Sequence, residues 1–97
     1  MINSKVRAKL RSLAQNVQPS VTIGKEGLTS GVLAQLDMNL KAHELVKIDV
    51  LENADIDKKA LLEHLSIKLK AEPVCVIGRK VVLYRFSHSA KNHVLGE

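Results

Sequence analysis

The stretch TIGKEGLTSGV, from Thr22 to Val32, determines how the chain on either side of it folds. It follows a short β-branched run and precedes apolar residues at helical spacing, so it marks a change from strand to helix. Its two glycines, Gly24 and Gly27, enclose a lysine and a glutamate. Glycine permits positive φ and close approach of a ligand to the backbone, so this GKEG loop (residues 24–27) is a candidate binding site.

The segments on both sides of the GKEG loop predict alternating helices and strands. Three segments carry apolar residues at helical spacing, whereas LVKIDVLE alternates apolar and polar residues as a half-buried strand does. Thr29 and Asp57 are candidate N-caps, and Pro19 and Pro73 mark the ends of helices. The predicted elements are helices over residues 4–17, 29–43 and 57–69, strands over 20–23 and 45–52, and two strands within 74–86. The order α-β-α-β-α-β-β places the chain in the α/β class.

This order also predicts which loops lie together. Strand-helix-strand connections within one sheet are parallel and right-handed in nearly all cases, so the first three strands should point the same way. The GKEG loop and the tight turn at Gly78 then lie at one end of the sheet, together with Lys25, Arg79 and Lys80. The acidic loop at residues 52–57 emerges at that end too, so we expect it to be separated from these bases laterally along the sheet.

Length and composition indicate one small globular domain. The chain has 97 residues, of which 45% are hydrophobic and 26% charged, close to ordinary globular values. We predict a single domain over residues 1–97, with an ordered core at about 4–86 and, at 87–97, a tail that is either loose or contains a short extra turn. No apolar run is long enough to span a bilayer, and the first residues lack the apolar centre of a signal peptide, so we expect a cytoplasmic protein without membrane contact.

The charge distribution favours a polyanionic partner. Lys and Arg total 15 against 10 for Asp and Glu, a formal net charge of +5. The bases that precede the first acidic residue, Glu26, are Lys5, Arg7, Lys9, Arg11 and Lys25. The basic first helix is either part of a binding surface or a solvated face with more bases than acids, and charge alone leaves both interpretations open.

No sequence motif indicates catalysis or metal binding. The four histidines show no metal-ligand spacing such as HExxH, and no serine or cysteine occupies a recognisable nucleophile turn. The single cysteine, Cys75, lies in the apolar run PVCVIG, which predicts a buried inert thiol. We therefore predict no catalytic residue, no metal, no cofactor and no enzymatic activity.

The GKEG loop by itself has two interpretations. Two glycines three apart occur in ordinary strand-to-helix turns, and the spacing fits neither the dinucleotide-binding motif nor the P-loop. A GxxG loop also clamps the nucleic-acid backbone in KH domains, although the KH fold orders its elements differently. Gly24 and Gly27 permit close approach, Lys25 adds a cation, and the N-terminal end of the helix from Thr29 suits a phosphate. Glu26 offsets one positive charge.

The run LRSLAQNVQPSVTIGKEGLTSGVLAQLDMNLKAHELVKIDV, followed by VCVIGRKVVLYR, resembles the CRM domain, named for chloroplast RNA splicing and ribosome maturation. It is most similar to the bacterial stand-alone members, the YhbY family, over roughly residues 10–85. The motifs IGKEGLT, HELVK and IG..VVLYR in this order are far more specific than GxxG alone. The resemblance implies a two-layer α/β (α+β) domain with a four-stranded mixed sheet, similar to the C-terminal domain of translation initiation factor three.

The resemblance also implies RNA binding through the GxxG loop and neighbouring basic surface and, in bacteria, an association with precursors of the large ribosomal subunit. The loop residues that carry over are Gly24, Lys25, Glu26 and Gly27, and the bases that we add to the RNA-binding surface are Lys5, Lys9, Arg11, Arg79 and Lys80. We expect ribosomal RNA as the partner, a monomeric protein, and an affinity that comes mostly from phosphate neutralisation.

Other interpretations compete with this one at three places. A protein-interaction adaptor in ribosome assembly could use the acidic segment 49–57 or the tail, with RNA contact secondary. HELVK is either a second basic contact or, as we prefer, a helix terminus at which His43 faces the negative end of the dipole and Glu44 is solvated. Phe86, one of only two aromatic residues, is predicted to belong to the core rather than to a base-stacking platform.

Overall fold

The computed structural model describes residues 2–96 and has the predicted order of elements. Met1 and Glu97, which the predicted domain includes, lie outside the described residues. The helices and strands are α1 (Ser4–Ala14), β1 (Val21–Ile23), α2 (Ser30–His43), β2 (Leu45–Val50), α3 (Lys58–Leu69), β3 (Glu72–Ile77) and β4 (Lys80–Tyr84). A 3-10 turn at Glu52–Ala54 lies in the loop before α3. The predicted α+β class with a four-stranded mixed sheet is confirmed.

The four strands form one sheet in the order β1-β2-β4-β3. β1 and β2 are parallel, with Ile23 opposite Val50, whereas β4 is antiparallel to both β2 and β3. The strands β1, β2 and β3 therefore point the same way, as the crossover argument predicts. The GKEG loop after β1 and the turn after β3 consequently lie at the same end of the sheet, which we call the loop end.

The two faces of the sheet bury different residues because side chains alternate along each strand. Val46, Ile48 and Val50 of β2 are at most 1% exposed and pack beneath α2 and α3. On the other face, Leu10 and Ala14 of α1 belong to a second buried cluster. We call the side under α2 and α3 the helical face and the other side the open face, since α1 leaves part of it uncovered.

Side-chain caps fix where the helices begin. Thr29 Oγ1 accepts a hydrogen bond from a backbone N–H in the first turn of α2 at 3.2 Å, and Asp57 Oδ1 accepts two such bonds from α3. Both predicted N-caps are therefore confirmed. Asn3 caps α1 in the same way at 2.8 Å, and α1 ends at Ala14, three residues earlier than predicted.

Pro73 lies inside β3, so the prediction that it ends the helix before it is wrong. β3 is an edge strand, where a residue without an N–H group is tolerated. The pairing with β4 shifts register between Pro73 and Cys75, the irregularity that a β-bulge produces. α3 ends instead at Leu69, and Lys70 follows it with a φ of 54°.

The segment at residues 87–96 contains no helix or strand but includes hydrogen-bonded turns, so of the two predicted possibilities a short extra turn describes it better than a loose tail. Ser87 and Ala90 are buried, and Val94 packs against the cluster that α1 covers. The prediction that Phe86 belongs to the core is wrong, since it is 42% exposed and stacks on His93 with ring centroids 4.9 Å apart. The segment is held by tertiary contacts that local sequence patterns do not reveal.

The acidic loop at residues 52–57 is not separated from the bases along the sheet, which corrects the expectation of a lateral distance. β2 stands between β1 and β4, so this loop leaves the sheet between the GKEG loop and the β3–β4 turn. Ala54 and Ile56 in this loop pack against the core of the helical face. The loop therefore turns away from the open face toward α3.

Candidate nucleic-acid interface

The GKEG loop is a β-turn whose shape depends on its second glycine. Gly27 N donates a hydrogen bond to Gly24 O at 2.9 Å, which leaves Lys25 and Glu26 as the two central residues. Gly27 has a φ of 74°, a region in which a residue with a Cβ is strained. Lys25 and Glu26 are both exposed. The turn therefore presents two charged side chains and its own backbone to solvent.

An open depression of about 300 Å³ joins this turn to the first turn of α2, and its lining includes Thr22, Gly27, Thr29 and Val32. The first turn of a helix has N–H groups without an intrahelical acceptor and carries the positive end of the helix dipole. Thr29 satisfies one of these groups. The depression thus combines exposed backbone, a helix N-terminus and the nearby Lys25 ammonium, which together suit a phosphate group.

The two glycines of the loop have different surroundings. A Cβ at Gly24 would lie 3.6 Å from Cδ1 of Leu51, an ordinary van der Waals contact. A Cβ at Gly27 would meet no protein atom within 4 Å. Close approach of a ligand from the solvent side therefore depends on Gly27, whereas the missing side chain of Gly24 faces the protein.

A row of paired residues leads from the GKEG loop across the open face to the β3–β4 turn. Thr22 of β1 is opposite Asp49 of β2, and Asp49 is opposite Lys80 of β4, so Lys80 lies roughly 10 Å from β1. Asp49 Oδ1 is 3.3 Å from Lys80 Nζ and 3.6 Å from Arg79 Nε. The structure places Arg79 and Lys80 at the loop end, but one carboxylate neutralises part of their charge.

The bases of α1 lie farther from the GKEG loop. Arg7 Nε donates a hydrogen bond to Pro73 O at 3.1 Å, so the N-terminal half of α1 crosses the first residues of β3. These residues lie away from the loop end, on the opposite edge of the sheet from β1. Lys5, Lys9 and Arg11 are exposed. An RNA that contacted both these bases and the GKEG loop would have to cross the open face.

The HELVK segment is a structural junction. Lys47 Nζ donates a hydrogen bond to Ala14 O at 3.2 Å, where a cation suits the negative end of the α1 dipole. Glu44 is fully buried, so the expectation that it is solvated is wrong. Its carboxylate accepts hydrogen bonds from Ser87 N and Val94 N, both at 2.8 Å. Glu44 thereby fixes the segment that follows β4.

The Glu44 carboxylate is ionised in spite of its position. Burial raises its pKa, but the hydrogen bonds from Ser87, His93 and Val94 outweigh burial and hold the pKa below its usual range. His93 Nδ1 lies 2.9 Å from Glu44 Oε2. The burial of Glu44 could not be predicted from the sequence, because its partners lie 43 to 50 residues further along the chain and no local pattern indicates them.

Arg85, the last residue of the VVLYR motif, links the two helices of the helical face. Its Nη1 donates hydrogen bonds to Asp37 Oδ1 of α2 and to Leu69 O at the end of α3, both at 2.9 Å. The hydrogen bond from Arg85 holds the pKa of Asp37 below its usual range, although partial burial opposes it. This arginine is a structural residue, and its guanidinium is largely occupied by protein acceptors.

The remaining chemistry-bearing side chains form no further site. Cys75 is half-buried, and burial raises the pKa of its thiol although Arg11 and Lys47 oppose the rise. Within residues 2–96, no three or more His, Cys, Asp or Glu side chains come together in a way that could hold a metal ion. Among the helices of the described residues, none has the length and apolar character needed to cross a membrane.

A mixed four-stranded sheet, with a GxxG turn between β1 and α2 and bases across its open face, defines the class of this small α+β domain. The model of the CRS1/YhbY (CRM) domain family matches residues 2–85. The chain belongs to this family. The resemblance that the sequence motifs indicate is therefore confirmed, and the family match covers the GKEG loop, the three helices and all four strands.

Similar proteins carry names that refer to RNA. A Haemophilus influenzae protein named "RNA-binding protein" is 40% identical over 91 residues, which cover 93% of this chain and 91% of the relative. "Probable RNA-binding protein YqeI" of Bacillus subtilis is 34% identical over 91 residues, covering 94% and 95%. The solution structure of the hypothetical protein SAV1595 from Staphylococcus aureus has a TM-score of 0.81 and 41% identity, covering 100% of this chain and 98% of that one.

Proposed function

We propose that this protein binds RNA through the GKEG loop and the basic residues of the open face, without catalysing a reaction. The observation that carries the proposal is the GKEG turn itself. It exposes Lys25 and the glycine backbone beside the N-terminal end of α2, and a phosphate can approach Gly27 without meeting a side chain. The names of the similar proteins support RNA as the polyanion.

Recognition of this kind reads the shape and charge of the RNA backbone rather than the order of its bases. Few aromatic residues are present in the chain, and Tyr84 is buried, so base stacking on the sheet contributes little. The family resemblance favours ribosomal RNA in precursors of the large subunit as the target. We propose that the protein acts there as a cytoplasmic monomer that assists assembly.

The footprint that we propose extends from the GKEG loop across the open face. Gly24, Lys25, Glu26 and Gly27 form its first part, and Arg79 and Lys80 the second. Lys5, Lys9 and Arg11 of α1 form a third part at the other edge of the sheet. Because each phosphate contact releases counterions, the affinity should fall steeply as salt is raised.

The test is sedimentation of cell lysate through a sucrose gradient at low and raised salt, with detection of this protein across the fractions. The variant replaces Lys25, Arg79 and Lys80 by alanine. We expect the wild-type protein to migrate with large-subunit precursors at low salt, and the variant to migrate in the free fractions. In solution, the affinity of the variant for a ribosomal RNA fragment should be at least about tenfold lower, because up to three phosphate contacts are lost.

The matched control replaces three lysines of α3, Lys58, Lys59 and Lys68, by alanine, which removes the same formal charge from the helical side of the sheet. This control should keep its association with the particles. Equal losses in both variants would indicate non-specific attraction of a basic protein and would contradict the proposed surface. Association that survives nuclease and raised salt would identify the protein as an adaptor that binds a protein of the particle.

A further inference from the structure

Two depressions meet on the surface between the C-terminal half of α2 and residues 89–94. Their volumes are about 640 Å³ and about 350 Å³, and Ala42 and Ser89 line both of them. The floor is apolar, with Ala42 and Val94 joined by Met38, which is 69% exposed. We call the combined surface the α2 groove. It lies at the opposite end of the sheet from the GKEG loop, because α2 ends where β2 begins.

The rim of the α2 groove carries basic side chains. Lys41 and His43 on α2 and Lys91 on the facing segment line it, and all three are exposed. No Asp or Glu occurs in residues 38–43 or in residues 86–96. A polyanion is therefore the partner that the charge of this rim complements.

The carboxylates nearest in sequence to the groove are already engaged. Asp37 accepts a hydrogen bond from Arg85 at 2.9 Å and lies 3.4 Å from Lys41 Nζ. Glu44 is buried beneath residues 87–94, with its oxygens turned to backbone N–H groups. Neither carboxylate presents an unpaired negative charge to a molecule in the groove.

The facing wall of the groove is held in place before any ligand binds. Hydrogen bonds from Ser87 N and Val94 N to Glu44 tie down both ends of the segment, and Ser87 Oγ donates a further bond to Lys41 O at 2.6 Å. A preformed wall lowers the entropic cost of binding, because little ordering remains to be done when the ligand arrives.

We propose that the α2 groove binds unpaired nucleotides of the same RNA that the GKEG loop contacts, an inference that rests on the proposed function. Bases would lie on the apolar floor, and Lys91 would neutralise a phosphate at the rim, joined by Lys41 where a phosphate replaces the Asp37 carboxylate 3.4 Å away. The amide of Asn92 and the oxygen of the Ser89 hydroxyl, whose proton is directed to Ser87 Oγ at 3.2 Å, offer hydrogen bonds to base edges within the same surface. An acidic amphipathic peptide would instead require a continuous apolar stripe, which these polar groups interrupt.

The two sites lie close enough together for one RNA to contact both. β2 separates the ends of the sheet with six residues, roughly 20 Å of extended chain. A stem that contacts the GKEG loop could therefore extend a short single strand along the protein to the α2 groove. Duplex alone would reach one site, and duplex with an unpaired tail would reach both.

The experiment measures the affinity of the full chain for an RNA hairpin with and without an unpaired tail. The principal variant is Ala42→Glu, which places a carboxylate in the floor at an exposed helical position. We expect the tail to strengthen binding of the wild-type protein by about tenfold, and the variant to lose this gain while binding the tailless hairpin as before. Ala42→Gln separates added bulk from added charge and should lose less of the gain.

His64→Glu, which adds the same charge at an exposed position on α3, is the matched control and should keep the full effect of the tail. Thermal melting of each variant establishes that the fold is intact. Lys91→Ala, which lies outside the helices, should independently reduce the gain in affinity that the tail provides. A tail that adds nothing for the wild-type protein would overturn the groove proposal and leave the GKEG proposal standing. Absence of hairpin binding would overturn both proposals. An Ala42→Glu variant that binds both RNAs normally but loses its association with a protein partner would assign the groove to that partner.

Discussion

Gly24 and Gly27 are equivalent in the sequence motif but have different physical roles in the turn. Gly27 has positive φ and faces open space, so it serves both the turn geometry and the approach of a ligand. Gly24 has room for a methyl group directed at Leu51, so we expect its replacement by alanine to disturb the turn and the approach of a ligand less than replacement of Gly27 would. Of the two glycines that the sequence predicts to permit close approach of a ligand, we therefore expect Gly27 to matter more for binding.

We predict that Gly27→Asn separates binding from stability. Asparagine adopts positive φ more readily than other residues with a Cβ, so the free energy of unfolding should fall by less than about 1 kcal/mol. Its side chain would occupy the space that a phosphate needs, and the affinity for RNA should fall by about tenfold. Equilibrium unfolding in denaturant and RNA titration of the same preparation provide the two measurements.

Gly24→Ala is the comparison for this substitution: its methyl group would point toward Leu51, so the affinity for RNA should fall less than in Gly27→Asn and the unfolding free energy should change little. Gly27→Ala should weaken binding and also cost about 1 kcal/mol of stability, because alanine is strained at this φ. Normal RNA affinity in Gly27→Asn would contradict the backbone-approach model of the GKEG loop.

At the scale of elements, β2 and the β3–β4 hairpin share one carboxylate. Asp49 points to the open face and lies within ion-pair distance of both Arg79 and Lys80, with its side chain 19% exposed. A phosphate that binds these bases must compete with this carboxylate. Asp49 therefore lowers the charge that the hairpin offers to RNA, while keeping the two long side chains together.

We predict that Asp49→Asn increases the affinity for RNA. Removing one negative charge from the open face frees Arg79 and Lys80 for phosphates, so the slope of log affinity against log salt should become steeper by about 1. The unfolding free energy should change by less than about 1 kcal/mol, because partly exposed ion pairs contribute little. Titrations with one RNA at several salt concentrations measure the slope directly.

The matched control for this substitution is Asp57→Asn, since asparagine is as good an N-cap as aspartate and the substitution removes the same charge. Asp57 lies in the loop that turns toward α3, so loss of its charge should change the affinity for RNA less than loss of the Asp49 charge does. A loss of affinity in Asp49→Asn would mean that the carboxylate positions the two bases rather than masking them.

For the whole molecule, the order of elements is predictable because each one carries its own periodic pattern. Val46, Ile48 and Val50 alternate with polar residues, and α2 repeats its buried residues every four positions, so both elements can be recognised from a few residues. The common direction of β1, β2 and β3 follows from the connections between them. The GKEG loop could be found for the same reason, since glycine spacing is a local signal.

Features that depend on pairing across the fold could not be predicted in this way. β4 lies between β2 and β3, and only this register places Asp49 beside Lys80. The burial of Glu44 depends on residues 87–94, which have no periodic pattern of their own. The prediction that Pro73 ends a helix is wrong because proline, which marks a boundary in most settings, is tolerated in an edge strand beside a bulge.

The buried carboxylate of Glu44 couples the stability of the whole domain to pH. Its pKa in the folded state lies below the ordinary value of 4.5, so the folded state holds the ionised form better than the unfolded state does. The stabilisation is fully present above about pH 4.5 and disappears as the pH falls through the folded-state pKa. Asp37, whose pKa is lowered by Arg85, contributes in the same direction.

We predict that Glu44→Gln lowers the free energy of unfolding by about 2 to 3 kcal/mol at neutral pH. The amide keeps one acceptor oxygen without its charge, and its NH2 group brings a donor toward one of the backbone donors of Ser87 and Val94. The difference from wild type should shrink as the pH falls below about 4.5, where Glu44 itself becomes protonated. Glu63→Gln, at an exposed position on α3, should show neither effect. Denaturant unfolding of the three proteins across this pH range measures both quantities, and a difference that stayed constant with pH would show that packing, rather than ionisation, fixes the segment after β4.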